Sequence, residues 1–274
     1  MPVRITTESA SDLSREMLSE FDVTVIPMNI IVDGKEYKDG VTLNSRQLLA
    51  MKPSAKTAAV NTEEYKAVFS ALRKDGSDIV HVALSGGISS TYQNAVNAAR
   101  DFDNVYVVDS RSLSAGAGFL CVIASQLAAS GESAVDIVGV LEKKRDEIKT
   151  SFVLEDLERM KAGGRCTAIE ALGANFLGIR PSIELSDGKL KAAKKFHGKP
   201  SAARLRYIDF KISADDPDRT ACFLNHTLES EEEVGELSGL LKAKYGFERV
   251  FVNRAGCCIA AHCGKNCVGV IYSK

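Results

Sequence analysis

Between Ile79 and Phe102 the chain passes from an apolar run through a turn of small residues into a helical pattern. The first run, Ile79 to Leu84, is apolar except for His81 and reads as a strand covered on both faces. The turn is Ser85-Gly86-Gly87-Ile88-Ser89-Ser90-Thr91, and the helix continues through Tyr92, Ala95, Val96 and Ala99. Strand, tight turn and helix in so short a span predict one βα unit of a parallel sheet.

The same alternation runs through the first half. Val3 to Thr6 is strand-like, and Glu8-Ser9-Ala10-Ser11-Asp12 precedes a helix near Ser14 to Phe21. Val23 to Val32 is β-branched and interrupted by Pro27, the pattern of a bent or edge strand, and Asp33-Gly34 is a turn signal. Asn61 with Glu64 forms a capping box for a helix from Thr62 to Lys74. A strand at Val105 to Val108 and a helix from about Ser114 to Ala129 follow. Ser133 to Lys149 reads as an amphipathic helix with Ile137, Val140, Leu141 and Ile148 inside.

Beyond it the pattern changes. Pro181 to Lys195 predicts an antiparallel hairpin around Asp187-Gly188. A helix from about Ser201, a strand Thr220 to Asn225, a helix Glu231 to Tyr245 and a strand Arg249 to Asn253 complete an α+β half. The expectation is a two-domain α/β chain. Residues 1–150 form a parallel-sheet domain, 151–274 a smaller α+β domain, and a ligand tunnel lies between them.

Composition narrows the function. A net charge of −1 over 274 residues, with no tryptophan, argues against nucleic-acid binding. Phe119 to Ala129 is the longest apolar stretch, about half the roughly 20 residues of a membrane span, and predicts a buried helix instead. No signal-peptide pattern opens the chain, and seven cysteines fit a reducing cytoplasm.

The turn at residues 85–91 is the candidate anion site. Gly86 and Gly87 would let backbone N–H groups approach a ligand, and Ser89, Ser90 and Thr91 add hydroxyls at a helix start. Ser89 with His81 or His262 leaves a hydrolase or phosphotransferase as an alternative. There is no Walker A sequence, and Gly116-Ala117-Gly118 is only a fragment of a dinucleotide fingerprint. Cys257, Cys258, Cys263 and Cys267 surround His262, which suggests metal binding or redox switching. Their spacing is no Cys-x-x-Cys pair, so packing is the expectation, with no metal and no cofactor. Arg165, after Gly163-Gly164, could hold an anion or an acidic partner.

Taken in order, several runs resemble the DegV family of bacterial fatty-acid-binding proteins. They are Thr7-Glu8-Ser9-Ala10-Ser11-Asp12-Leu13, Val25-Ile26-Pro27, Ser89-Ser90-Thr91-Tyr92-Gln93 and Val107-Val108-Asp109-Ser110-Arg111-Ser112. Gly163-Gly164-Arg165, Arg180-Pro181 and Ala260-Ala261-His262 extend the match over nearly the whole chain. The resemblance implies a two-domain protein that holds one long-chain fatty acid without catalysis. It also implies a separate kinase that makes an acyl phosphate for phospholipid synthesis. The carboxylate would be held at the positions of Thr57, Ser89 and His262, and Arg165 and His197 would serve partner docking. Burial of the acyl chain, at about 0.8 kcal/mol per methylene, would supply most of the affinity. Ile30, Phe119, Phe152, Phe176 and Leu177 are candidate linings, with core packing the alternative for each.

The chain also departs from the family pattern. Thr57 is followed by Ala58-Ala59-Val60 in place of Ser-Gln-Pro, and Ser90 replaces a glycine. His197 stands where an arginine of the family helps the kinase dock. Cys263 replaces a threonine and Lys265 a proline.

Overall fold

The computed structural model describes residues 2–51, 55–155, 157–165 and 178–274. Phe176 and Leu177, expected in the tunnel, lie outside the described residues.

Strand β1 (Val3–Glu8) leads through a short 3-10 turn into helix α1 (Arg15–Glu20) and strand β2 (Val23–Ile26). At Pro27 the bent strand of the sequence reading becomes two strands in different sheets. The chain leaves β2 for a small antiparallel sheet of β3 (Asn29–Val32), β4 (Lys35–Lys38) and, after helix α2 (Ser45–Ala50), β5 (Ala55–Ala58). Helix α3 (Thr62–Leu72) opens on the Asn61/Glu64 capping box. Then come β6 (Asp78–Ala83), α4 (Thr91–Ala99), β7 (Val105–Asp109), α5 (Ala115–Ala129) and α6 (Ala134–Lys144). The first sheet has the order β2-β1-β6-β7 and is parallel throughout, as the alternation of strands and helices predicts.

The second half comprises β8 (Ile148–Val153), α7 (Glu158–Ala162), the hairpin β9 (Ile179–Ser186) and β10 (Lys189–His197), and α8 (Pro200–Asp215). It ends with β11 (Ala221–His226), α9 (Glu231–Ala243), β12 (Arg249–Arg254), α10 (Cys257–Cys263) and β13 (Val268–Ser273). Their strands form a six-stranded sheet of order β10-β9-β8-β13-β11-β12, antiparallel except for the β11–β12 pair. The helix expected to run to Lys149 stops at Lys144, and Ile148 opens β8. That strand carries Lys149, Thr150 and Ser151, which hide its alternation; its partners β9 and β13 come much later in the chain.

Helix α5 explains how the halves meet. Its buried residues, among them Ala115, Ala117, Leu120, Cys121 and Ala124, surround the helix axis, and it packs against strands of both large sheets. Small residues make that possible. A Cβ on Gly116 would lie 2.2 Å from Thr150 Oγ1, so the glycine serves close packing and not a cofactor. Phe119 packs against Phe223, and Ile30 is fully buried in the core beneath the small sheet, so both expected linings are core residues. Helices α8 and α9 cover the outer face of the six-stranded sheet. Helix α10 comes late in the chain but packs back onto α2, β3 and β5.

At the end of β1, Glu8 is buried with a partner for each carboxylate oxygen. His81 Nε2 lies 2.8 Å from Oε1, the Tyr65 hydroxyl donates to the same oxygen, and Leu84 N donates to Oε2 at 2.9 Å. Burial pushes the Glu8 carboxyl up, but His81, Tyr65 and Leu84 outweigh it and hold it below the ordinary carboxylate range. Removing one partner of a buried pair strands the other. Glu8→Ala is therefore expected to cost about 3–5 kcal/mol, read as a lower urea midpoint with an unchanged slope.

Candidate functional site

A cleft opens between the two large sheets, and with its mouth it holds about 850 Å³ of empty space. Its walls come from both halves of the chain: Met28, Leu84, Ile88 and Leu113 from the first, and Phe152, Met160, Leu190, Ile259 and Ile271 from the second. Phe152 is thus the one described residue of the expected linings that stands on the wall.

Several polar residues also line the cleft, but their hydroxyls point into the framework. Ser114 Oγ donates to Asp12 at 2.5 Å, Thr150 Oγ1 lies 2.8 Å from Ser112 Oγ, and Ser151 Oγ lies 2.8 Å from the Tyr207 hydroxyl. Thr227 Oγ1 donates to the carbonyl of Gly264 at 2.8 Å. With those bonds made, such residues leave mainly carbon for the cavity.

One group of wall residues is different. Thr57 on β5, Ser89 before α4, His262 on α10 and Arg165 after α7 all line the same cleft. Thr57 Oγ1 and His262 Nε2 are 2.9 Å apart. The other ring nitrogen, Nδ1, has no hydrogen-bond partner. A Cβ on Gly163 would lie 2.2 Å from it, so only glycine leaves room for the ring in this position. Arg165 Nη1 donates to the Gly163 carbonyl at 2.7 Å, which ties the guanidinium to that backbone. Burial, aided by the Arg165 charge, lowers the His262 pKa to about 4, so the ring is neutral at pH 7. Among the described residues on the wall, Arg165 is then the one charged side chain.

The turn at residues 85–91 does not present its backbone as expected. Gly86 N donates to Asp109 Oδ1 at 3.3 Å, Gly87 N to Ser85 Oγ at 3.2 Å, and Ile88 N and Ser89 N to the Ser85 carbonyl. The anion facing this turn is the protein's own Asp109, which also accepts from Arg111 N. The close approach that Gly87 permits is to another strand connection: a Cβ there would lie 2.5 Å from the Gly188 carbonyl oxygen at the tip of the β9–β10 hairpin. Ser85 Oγ donates to that same carbonyl at 2.7 Å. Gly188 itself has φ +72°, the left-handed conformation a tight hairpin turn requires.

Gly86, Gly87, Ser90 and Thr91 accordingly stand off the cavity wall. Ser90 is exposed, and Thr91 is buried with its hydroxyl 2.8 Å from Ser89 Oγ. Ser89 Oγ also accepts from Thr91 N at 3.2 Å. No hydrogen bond joins Ser89 to a histidine among the described residues, and His81 is engaged with Glu8 and Thr6 inside the first domain. His197 is exposed at the end of β10, away from Arg165, beside a groove of about 1,080 Å³ that includes Lys194, Lys195 and Arg206.

Six cysteines are buried free thiols, and no metal-binding group of His, Cys, Asp or Glu occurs among the described residues. Cys258, Cys263 and Cys267 line the cleft. Burial raises the Cys258 thiol pKa well above its usual range, which leaves an apolar, protonated wall. No helix among the described residues is long and apolar enough to cross a membrane.

The family described as "Uncharacterised protein, DegV family" matches residues 2–274. A DegV domain-containing protein of Caldanaerobacter subterraneus subsp. tengcongensis is 29% identical over 278 residues, covering 99% of each chain. Among solved structures, a DegV family protein from Thermus thermophilus described for its fatty acid binding superimposes with a TM-score of 0.88. It shares 26% identity and covers 100% of both chains. A stearic-acid-binding protein from Eubacterium ventriosum shares the fold at TM-score 0.85 and 23% identity, over 99% of this chain and 98% of that one.

Two buried histidines contribute to the acid side of the stability profile. His262 and His226 both fall from 6.5 to about 4, so between those values the unfolded chain binds protons that the folded chain refuses. Their contribution is complete above pH 6.5 and is lost as pH falls toward 4. Asp12 runs the other way. Burial and neighbouring Asp39 raise it to about 7 against its hydrogen bonds, so its contribution is complete below 3.8 and is lost as pH rises through 7. Two groups outweigh one, and the fold is expected to weaken from pH 6.5 to 4.5. His262→Asn should lose about 2–3 kcal/mol less over that range than the parent, measured by urea unfolding at both pH values.

Proposed function

The chain belongs to the DegV family, and from that premise and the geometry of the cleft we propose that it binds one long-chain fatty acid without converting it. The observation that carries this reading is that Thr57, Ser89, His262 and Arg165 all line one mainly apolar cavity, with Thr57 and His262 in direct contact. The carboxylate sits against the two hydroxyls and the guanidinium, and the acyl chain runs between the sheets. With its proton on Nε2, neutral His262 donates to Thr57 Oγ1, which frees the Thr57 O–H to donate to the carboxylate. Ten buried methylenes contribute about 8 kcal/mol, from which the cost of immobilising the ligand is subtracted. The Thermus relative, described for its fatty acid binding, supports the same ligand class.

In the same reading, the bound carboxylate is presented in the cytoplasm to a separate fatty acid kinase. The docking face is the exposed end of β10, where His197 lies with Lys194, Lys195 and Arg206 beside an open groove. Its support is the family resemblance together with that basic groove.

Native mass spectrometry of the purified protein should show a co-purified acyl chain, or its reappearance when stearic acid is added after delipidation. A protein that stays empty in both experiments rejects the reading. Ser89→Ala is expected to weaken stearic acid binding by about 1–3 kcal/mol, the cost of a lost hydrogen bond to a charged group; an unchanged Kd removes Ser89 from the site. His197→Asp should slow acyl-phosphate formation in a reconstituted kinase reaction while leaving the fatty acid Kd unchanged.

A further inference from the structure

The run Thr7 to Leu13 stands out in the sequence, yet none of its residues lines the cleft. Its buried carboxylate Asp12 points instead at the start of α10. Asp12 Oδ1 accepts from Gly256 N at 2.8 Å, and Oδ2 accepts from Ser114 Oγ at 2.5 Å and Asn225 Nδ2 at 3.2 Å. Asp39, buried after β4, takes the next two donors: Oδ1 accepts from Cys257 N at 2.7 Å and Oδ2 from Cys258 N at 3.0 Å. Ser9 Oγ donates to Asp39 Oδ2 at 3.0 Å and accepts from Met28 N at 3.1 Å, which orients that carboxylate. Both carboxylates come within about 3.3 Å of the point where a Gly256 Cβ would stand.

Three successive N–H groups at the start of a helix lack intrahelical partners, and here two carboxylates from the other half of the chain supply them. Helix α10 carries Cys258, Ile259, Cys263 and His262 into the cleft. We propose that Asp12 and Asp39 are positioning residues for ligand binding, a two-carboxylate clasp that fixes α10 and thereby sets His262 against Thr57. The clasp touches no ligand and acts through the helix. Asp39 carries the larger share, because both of its oxygens are spent on consecutive backbone donors. An asparagine there offers one acceptor and turns an N–H toward the other donor.

This inference rests on the fatty acid reading, and its test separates the two. In the full-length protein, Asp39→Asn is expected to raise the Kd for stearic acid by about tenfold. It should also move the NMR titration midpoint of His262 up from about 4 toward 6.5 as the ring leaves its buried seat. General destabilisation lowers the melting temperature without moving that midpoint in the folded state. Ser9→Ala, which removes only the hydroxyl orienting Asp39, should do both more weakly, raising the Kd by about threefold, and it decides the matter should Asp39→Asn fail to fold. Folded variants whose stearic acid affinity stays within about twofold of the parent, with an unmoved His262 midpoint, overturn the proposal. A parent protein that does not bind stearic acid overturns the fatty acid reading instead, and the His262 midpoint then decides the clasp by itself.

Discussion

Buried carboxylates at the mouth of the parallel sheet hold this structure in register. A carboxylate withdrawn from water must have its lone pairs filled, so every donor that fills them is fixed in place. Glu8 fixes the entry to the turn that bears Ser89 by accepting from Leu84 N. Asp12 joins three segments that are far apart in sequence, through Ser114, Asn225 and Gly256. Apolar packing alone would leave such segments free to slide by fractions of an ångström. The hydrogen-bonded carboxylates stop that sliding at the segments that carry Ser89 and His262 to the cleft.

The rest of the cleft follows from a complementary arrangement. Helix α5, apolar around its circumference, separates the two large sheets and leaves open the space beyond the ends of β1, β6 and β7. Four of the hydroxyl-bearing residues on its wall are bonded to their neighbours. Ser114, Thr150, Ser151 and Thr227 each direct a hydroxyl into the framework. The thiols of Cys258, Cys263 and Cys267 stand on the same wall. A wall of this kind gives a hydrocarbon chain little reason to prefer one register over another, so in the proposed reading the polar end defines where the ligand stops.

Local patterns revealed much of this and missed what depends on distant partners. The βα units, the Asn61/Glu64 box and the Asp187-Gly188 hairpin are written in adjacent residues, and each appears in the fold, whereas the single bent strand expected across Pro27 is two strands of different sheets. Strands β8 and β13 are central in their sheet yet escaped the sequence reading, one hidden by Lys149, Thr150 and Ser151 and the other following a cysteine-rich run. Helix α10 escaped for a stronger reason. Its seven residues include no capping side chain, because its caps are Asp12 and Asp39, more than two hundred positions earlier. The turn at Gly86 and Gly87 misled in the opposite direction. Its composition is that of an anion nest, and an anion is present, but it is Asp109 of the same chain. The hydroxyl-rich turn marked Ser89, the family resemblance added Thr57 and the same role for His262, and the fold brings all three to one cleft from three separate elements.

Charge balance at the proposed head-group site shapes what it can hold. Arg165 brings one positive charge, while His262, lowered to about 4, brings none at neutral pH, and Thr57 and Ser89 bring only dipoles. One carboxylate monoanion therefore balances the site, and its two oxygens can be shared among two hydroxyls and a guanidinium fork. A histidine kept cationic would change that balance by one unit, holding a carboxylate harder and releasing it more slowly. Burial of His262 against Gly163 thus leaves Arg165 as the one positive charge among the described residues of the wall.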